Sequence, residues 1–161
     1  MADQFSLVHS LPPVSLLPPA ADAAGRTSSY RNLANAQKAY VVAHINQGNA
    51  ATVQLSLMQA KDVSGTGAKA IAAAMPIFFQ ANTATSDGNV QQANAANFTT
   101  DAGTNDKIVI FEILPEAVLD VTNGFKTIAV TTGASNAANI TAVELFVVRG
   151  YQGASAPTAY A

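Results

Sequence analysis

AYVVAHINQGNAATVQLSLM, from Ala39 to Met58, is the stretch on which the fold turns. Two apolar runs rich in strand-forming residues flank a loop of Gly, Asn and small residues, and the economical expectation is a β-hairpin. In the second run Val53, Leu55 and Leu57 alternate with Thr52, Gln54 and Ser56, which gives a strand one buried and one wet face. The first run, Tyr40 to Ile45, is apolar at almost every position, as in a strand covered on both sides by core, a second sheet or a partner. Its polar member, His44, is expected to be a hydrogen-bonded structural histidine.

A later stretch has the same design. KTIAVTTG (Lys126 to Gly133) leads through ASNAAN into the run from Ile140 to Val148, and Asn136-Ala137-Ala138 repeats the triplet Asn49-Ala50-Ala51. Two such strand-loop-strand units suggest two sheets facing each other. KIVIFEIL (Lys107 to Leu114) is again apolar on both faces, and Pro115 to Asp120 suits a single helical turn opened by proline. The polar segment from Asn82 to Asp106 suits a weak strand or two among long loops. About seven short strands, turn signals between them and no long helix predict an all-β fold, an antiparallel β-sandwich for which a jelly roll is one available topology.

The chain divides into an extended N-terminal arm (1–38), a sandwich domain (39–150) and a tail (151–161) without core pattern. Pro12-Pro13 and Pro18-Pro19 impose extended backbone on the arm, which nevertheless carries Phe5, Leu7, Leu11, Val14, Leu16 and Leu17. Ordering backbone costs about 1–2 kcal/mol per residue, so these side chains need a surface. The expectation is that another subunit supplies it, with Arg26, Tyr30 and Arg31 as polar clamps. An arm lying across its own domain is the alternative.

Charged residues make up only 11% of the 161 residues, the net charge is −2, and the eight Lys and Arg are scattered. There is no basic stripe to hold phosphates, which argues against nucleic acid, and no run of eighteen apolar residues to span a membrane. With no cysteine, disulfides and thiolate metal sites are excluded. His9 and His44 have no evident reason to meet, so a metal triad or Ser-His-Asp site is unsupported. Asp101 to Asp106 does not match a calcium loop, and Gly65 to Lys69 lacks the full phosphate-loop pattern. Glu112 and Glu116 flank a proline without any sign of a cleft. No enzyme activity and no cofactor are expected.

DAAGRTSSY (Asp22 to Tyr30), HINQGNAATV (His44 to Val53), QAKDVSGTGAKAI (Gln59 to Ile71), NFTTDA (Asn97 to Ala102) and TTGASNAANITA (Thr131 to Ala142) together resemble small virion proteins of tailed bacteriophages, of the capsid decoration or cement type. The resemblance covers Leu11 to Gly150. It implies a β-sandwich on the outer surface of a phage capsid, the major capsid protein and copies of the chain itself as partners, and a homotrimer as the assembled form. Alternatives are a tail-associated or glycan-binding jelly roll and a minor shell or connector subunit.

Overall fold

The computed structural model describes residues 7–149. Phe5 and the 151–161 tail lie outside the described residues. The strands are β1 (Val14–Ala21), β2 (Arg26–Thr27), β3 (Arg31–Asn32), β4 (Ala36–Gln47), β5 (Gln54–Ala60), β6 (Lys69–Ala70), β7 (Ile77–Gln80), β8 (Val90–Gln91), β9 (Asn97–Thr99), β10 (Asp106–Ile113), β11 (Thr127–Thr132) and β12 (Asn139–Arg149). Among the described residues two single α-helical turns, α1 (Leu7–Ser10) and α2 (Pro115–Val118), and a 3-10 turn (Val121–Asn123) accompany them. Pro115 opens α2 because its missing N–H is not needed there.

Sheet A runs β1-β12-β4-β10-β7-β8, and sheet B runs β2-β11-β5-β6, with β3 also on β11 and β9 also on β5. Every pairing is antiparallel, and the pairs nest from the chain ends inward: β1 with β12, β2 and β3 with β11, β4 with β10, β5 with β6 and β9. A nested hairpin of this kind, rolled until β4 also meets β12 and β5 also meets β11, is a jelly roll. β7 and β8 extend sheet A beyond β10.

The expected hairpin is not formed. β4 and β5 belong to opposite sheets, and the six residues between them arch across the sandwich. The later unit does the same in reverse, from β11 in sheet B to β12 in sheet A. The repeated triplet is the turn of each arch: Asn49 Oδ1 accepts the N–H of Ala51 and Asn136 Oδ1 accepts that of Ala138, both at 2.9 Å. Buried Asn139 ties the arches together. Its Oδ1 accepts the Asn49 N–H (2.8 Å), and its amide donates to the Ala51 carbonyl (2.7 Å) and Ser135 Oγ (2.9 Å).

Between the sheets, the inward-facing alternates of sheet A (Ala39, Val41, Ala43 and Ile45; Val109, Phe111 and Ile113; Val143, Leu145 and Val147) meet Leu55, Leu57, Ile128 and Val130 of sheet B. Fully burying one such side chain contributes about 1.5–3 kcal/mol. Truncating Phe111, the largest apolar side chain completely enclosed, to Ala is expected to cost about 3–5 kcal/mol.

Residues 14–38, assigned to the arm on sequence, supply β1, β2, β3 and the start of β4. β1 is the edge strand of sheet A, where Pro18 and Pro19 are tolerated because one side of an edge needs no donor. Its register shifts after Ser15 and after Leu17 let the neighbours Leu16 and Leu17 both turn into the chain's own core.

Candidate functional site

Three places combine unusual chemistry with a defined position: the outer face of sheet A, the N-terminal tip, and two buried ionic networks.

Along β4, Lys38, Tyr40, Val42, His44 and Asn46 alternate with the core residues and point away from the sandwich. Register places Val42 beside Glu144 of β12 and Ile110 of β10, with Phe78 of β7 beyond Ile110. Tyr40 lies between Phe146 and Glu112, and His44 lies between Ala142 and Ile108. Tyr40, Val42, Phe78, Ile108, Ile110, Phe146 and Val148 are half-buried, and Ile140 is exposed. The apolar pattern on both sides of β4 and β10 thus has a physical counterpart on each side: one side faces sheet B, the other forms this sheet surface. His44 is exposed there and its side chain makes no hydrogen bond among the described residues, so the expected hydrogen-bonded structural role is not found. Lys38 forms an ion pair with Glu112 at 2.5 Å and sits 5.4 Å above the Tyr40 ring, so the carboxylate raises the lysine pKa.

At the N-terminus Leu7 and Val8 are exposed on α1, and Leu11 and Val14 are half-buried. Arg26 acts within the chain. Its guanidinium donates to the Asp22 carboxylate (3.1 Å from Nε), to the Pro18 carbonyl (2.8 Å) and to the Thr141 carbonyl, which locks β1 and β2 onto β12. Asp22, completely buried, also accepts from the hydroxyls of Thr132 (3.0 Å) and Thr141. Tyr30 lies over Gly65: a Cβ there would stand 3.0 Å from the Tyr30 ring. Arg31 is half-buried on β3, and its Nε has no hydrogen-bond partner among the described residues. The anticipated clamps are therefore separated from Leu7 and Val8 in role: Leu16, Leu17 and Arg26 anchor β1, while α1 presents the apolar tip.

The second network has no precursor in the sequence reading. Lys107 is wholly buried at the start of β10, and its ammonium donates to Asp101 Oδ1 (2.6 Å), the Asp101 carbonyl (2.8 Å) and Gln47 Oε1 (3.0 Å). Gln47 in turn donates to the Asp101 carbonyl (2.8 Å) and accepts from Thr100 Oγ1 (2.8 Å), whose oxygen takes the Val53 N–H (3.0 Å). The Lys107 ammonium holds the Asp101 carboxyl below the usual carboxylate range. The parity of KIVIFEIL carried the signal: Lys107 shares a face with Val109, Phe111 and Ile113.

The segments weighed for chemistry are engaged in structure. In the Gly65 loop, Asp62 Oδ1 accepts the N–H groups of Ser64 and Thr66 at 3.0 Å; the Thr66 hydroxyl, together with these N–H groups, lowers the Asp62 pKa. Lys69 pairs with Asp120 at 2.6 Å over the Phe125 ring, and this contact lowers the Asp120 pKa. Among the described residues no three His, Asp or Glu side chains are grouped to hold a metal, and no helix is long and apolar enough to cross a membrane. No protein-family model matches the chain, and neither a search of curated proteins nor one of solved structures finds a match.

Proposed function

We propose that the chain is a structural virion protein that binds the outer surface of a phage capsid and stabilises it, as decoration or cement proteins do. The observation that carries the reading is the anchored apolar tip. Leu16 and Leu17 fix β1 in the core and Arg26 bolts it to β12, and the exposed Leu7 and Val8 lie a few residues ahead of this anchored edge strand. Side chains of that kind contribute to binding only when a partner covers them, each apolar Å² giving roughly 25 cal/mol before association costs. Repetition over a symmetric shell makes such modest contacts collectively strong. Support also comes from the sparsely charged surface and from the resemblance of the segments quoted above; the partner on this reading is the major capsid protein.

The test is sedimentation of the purified chain with undecorated phage shells, counting bound copies. Saturable binding at tens to hundreds of copies per shell is expected, weakened at least tenfold by the double substitution Leu7→Asp, Val8→Asp with the melting temperature unchanged. Absence of co-sedimentation, or specific binding to a glycan array in its place, would move the assignment to a tail-associated or glycan-binding module.

A further inference from the structure

We infer that the outer face of sheet A is the contact surface for a second copy of this chain, packed sheet against sheet. It is independent of shell attachment, which uses the α1 tip. The two outer faces of the sandwich differ in chemistry. On sheet B the outward positions of β5 and β11 are Gln54, Ser56, Met58, Thr127, Ala129 and Thr131, mostly polar or small side chains. On sheet A they include Tyr40, Val42, Ile108, Ile110, Phe78 and Phe146, in register across four neighbouring strands.

Size and charge select the occupant. Outward positions on β12, β4, β10 and the short β7, each covering about 4.8 by 6.8 Å, give a plane of about 520 Å² per copy. Two copies would bury roughly 1,000 Å² in projection, more once side-chain relief is counted, which reaches the lower end of the range for specific interfaces. The charges within the face are self-complementary. Lys38 and Glu112 have opposite sign and stand on adjacent strands, so a two-fold axis running between β4 and β10 brings Lys38 of one copy within reach of Glu112 in the other. Glu144 of β12 lies beside Val42 on this face, on the side away from β10, and is exposed. The chain's own tail fits poorly: beyond Arg149 it carries only Tyr151 and Tyr160 as large side chains.

The experiment is sedimentation velocity with light-scattering mass on the full chain from about 1 to 200 µM, beside Val42→Lys, the milder Val42→Thr, and Ser56→Lys on sheet B as a control. The expected result is twice the 16.5 kDa chain mass, a dissociation constant raised at least tenfold by Val42→Lys and several-fold by Val42→Thr, and no change with Ser56→Lys. Should Val42→Lys fail to fold, Val42→Thr alone decides, since a half-exposed strand position accepts threonine. A monomer throughout the range overturns the inference, as does a dimer or trimer indifferent to Val42. A chain that pairs only after removal of residues 150–161 overturns it in favour of the tail.

Discussion

Removing either member of the Lys107–Asp101 pair should give unequal losses of stability. The Lys107 ammonium is fully enclosed, whereas the Asp101 side chain is 52% exposed. In Asp101→Ala the buried ammonium keeps only the Asp101 backbone carbonyl and Gln47 Oε1. A buried charge stripped of its counter-ion costs about 3–5 kcal/mol. In Lys107→Met the carboxylate remains where water can solvate it, Gln47 Oε1 keeps the Thr100 hydroxyl, and the Asp101 carbonyl keeps the Gln47 amide. The loss then reduces to hydrogen bonds worth about 1–2 kcal/mol. With a urea dependence of about 2 kcal/mol per molar, the two midpoints should lie roughly 1 M apart, Asp101→Ala the lower. Equal midpoints, or a lower one for Lys107→Met, would refute the reasoning. Acid supplies the same perturbation. A carboxyl whose native pKa is depressed contributes stability above its ordinary pKa of about 4 and loses it as pH falls through the native value. The advantage of wild type over Lys107→Met should therefore shrink below about pH 4, as equilibrium denaturation across pH would show.

Other consequences follow from the arches and from β1. Gly25 has φ +72°, and a Cβ there would meet the Thr132 carbonyl at 2.7 Å, whereas Gly124 has φ +83° with open space around it. Thermal melting should find Gly25→Ala clearly more damaging than Gly124→Ala, which pays only the left-handed backbone cost of about 1–2 kcal/mol. Asn139→Ala removes two bonds joining the arches and one within the second, and should cost about 2 kcal/mol or more, against less than about 1 for Asn136→Ala, which opens one turn. Deleting residues 1–10 should leave the melting temperature within about 2 °C of wild type; deleting 1–21 removes Leu16 and Leu17 and should lower it by about 10 °C or more. Comparable melting of the two truncations would show that β1 is dispensable to the sandwich.

The fold class was legible because period-two alternation in β5 and apolar runs in β4, β10 and β12 leave few other architectures. Strand pairing was not, since a loop of small residues looks alike in a hairpin and in an arch. A clue lay in the mismatch between β4, apolar on both sides, and β5, apolar on one: partners within a hairpin share their two environments. β1 was hidden by its prolines, which read as a free arm although an edge strand tolerates them, and by the bulges that bury two consecutive leucines. Asp22 sat among turn formers, and only the closed sheets show it completely buried beneath Thr132, Thr141 and Arg26. The outer face of sheet A, by contrast, was visible in sequence as strands with one apolar side more than a single core requires.

The central claim is that the chain strengthens a phage shell from outside. It is tested most directly by the temperature at which DNA-filled shells lacking the protein rupture, measured by dye access to DNA before and after saturation with the purified chain. The account predicts a rise of several degrees that tracks the number of bound copies and disappears with Leu7→Asp, Val8→Asp. An unchanged rupture temperature at full occupancy would contradict it.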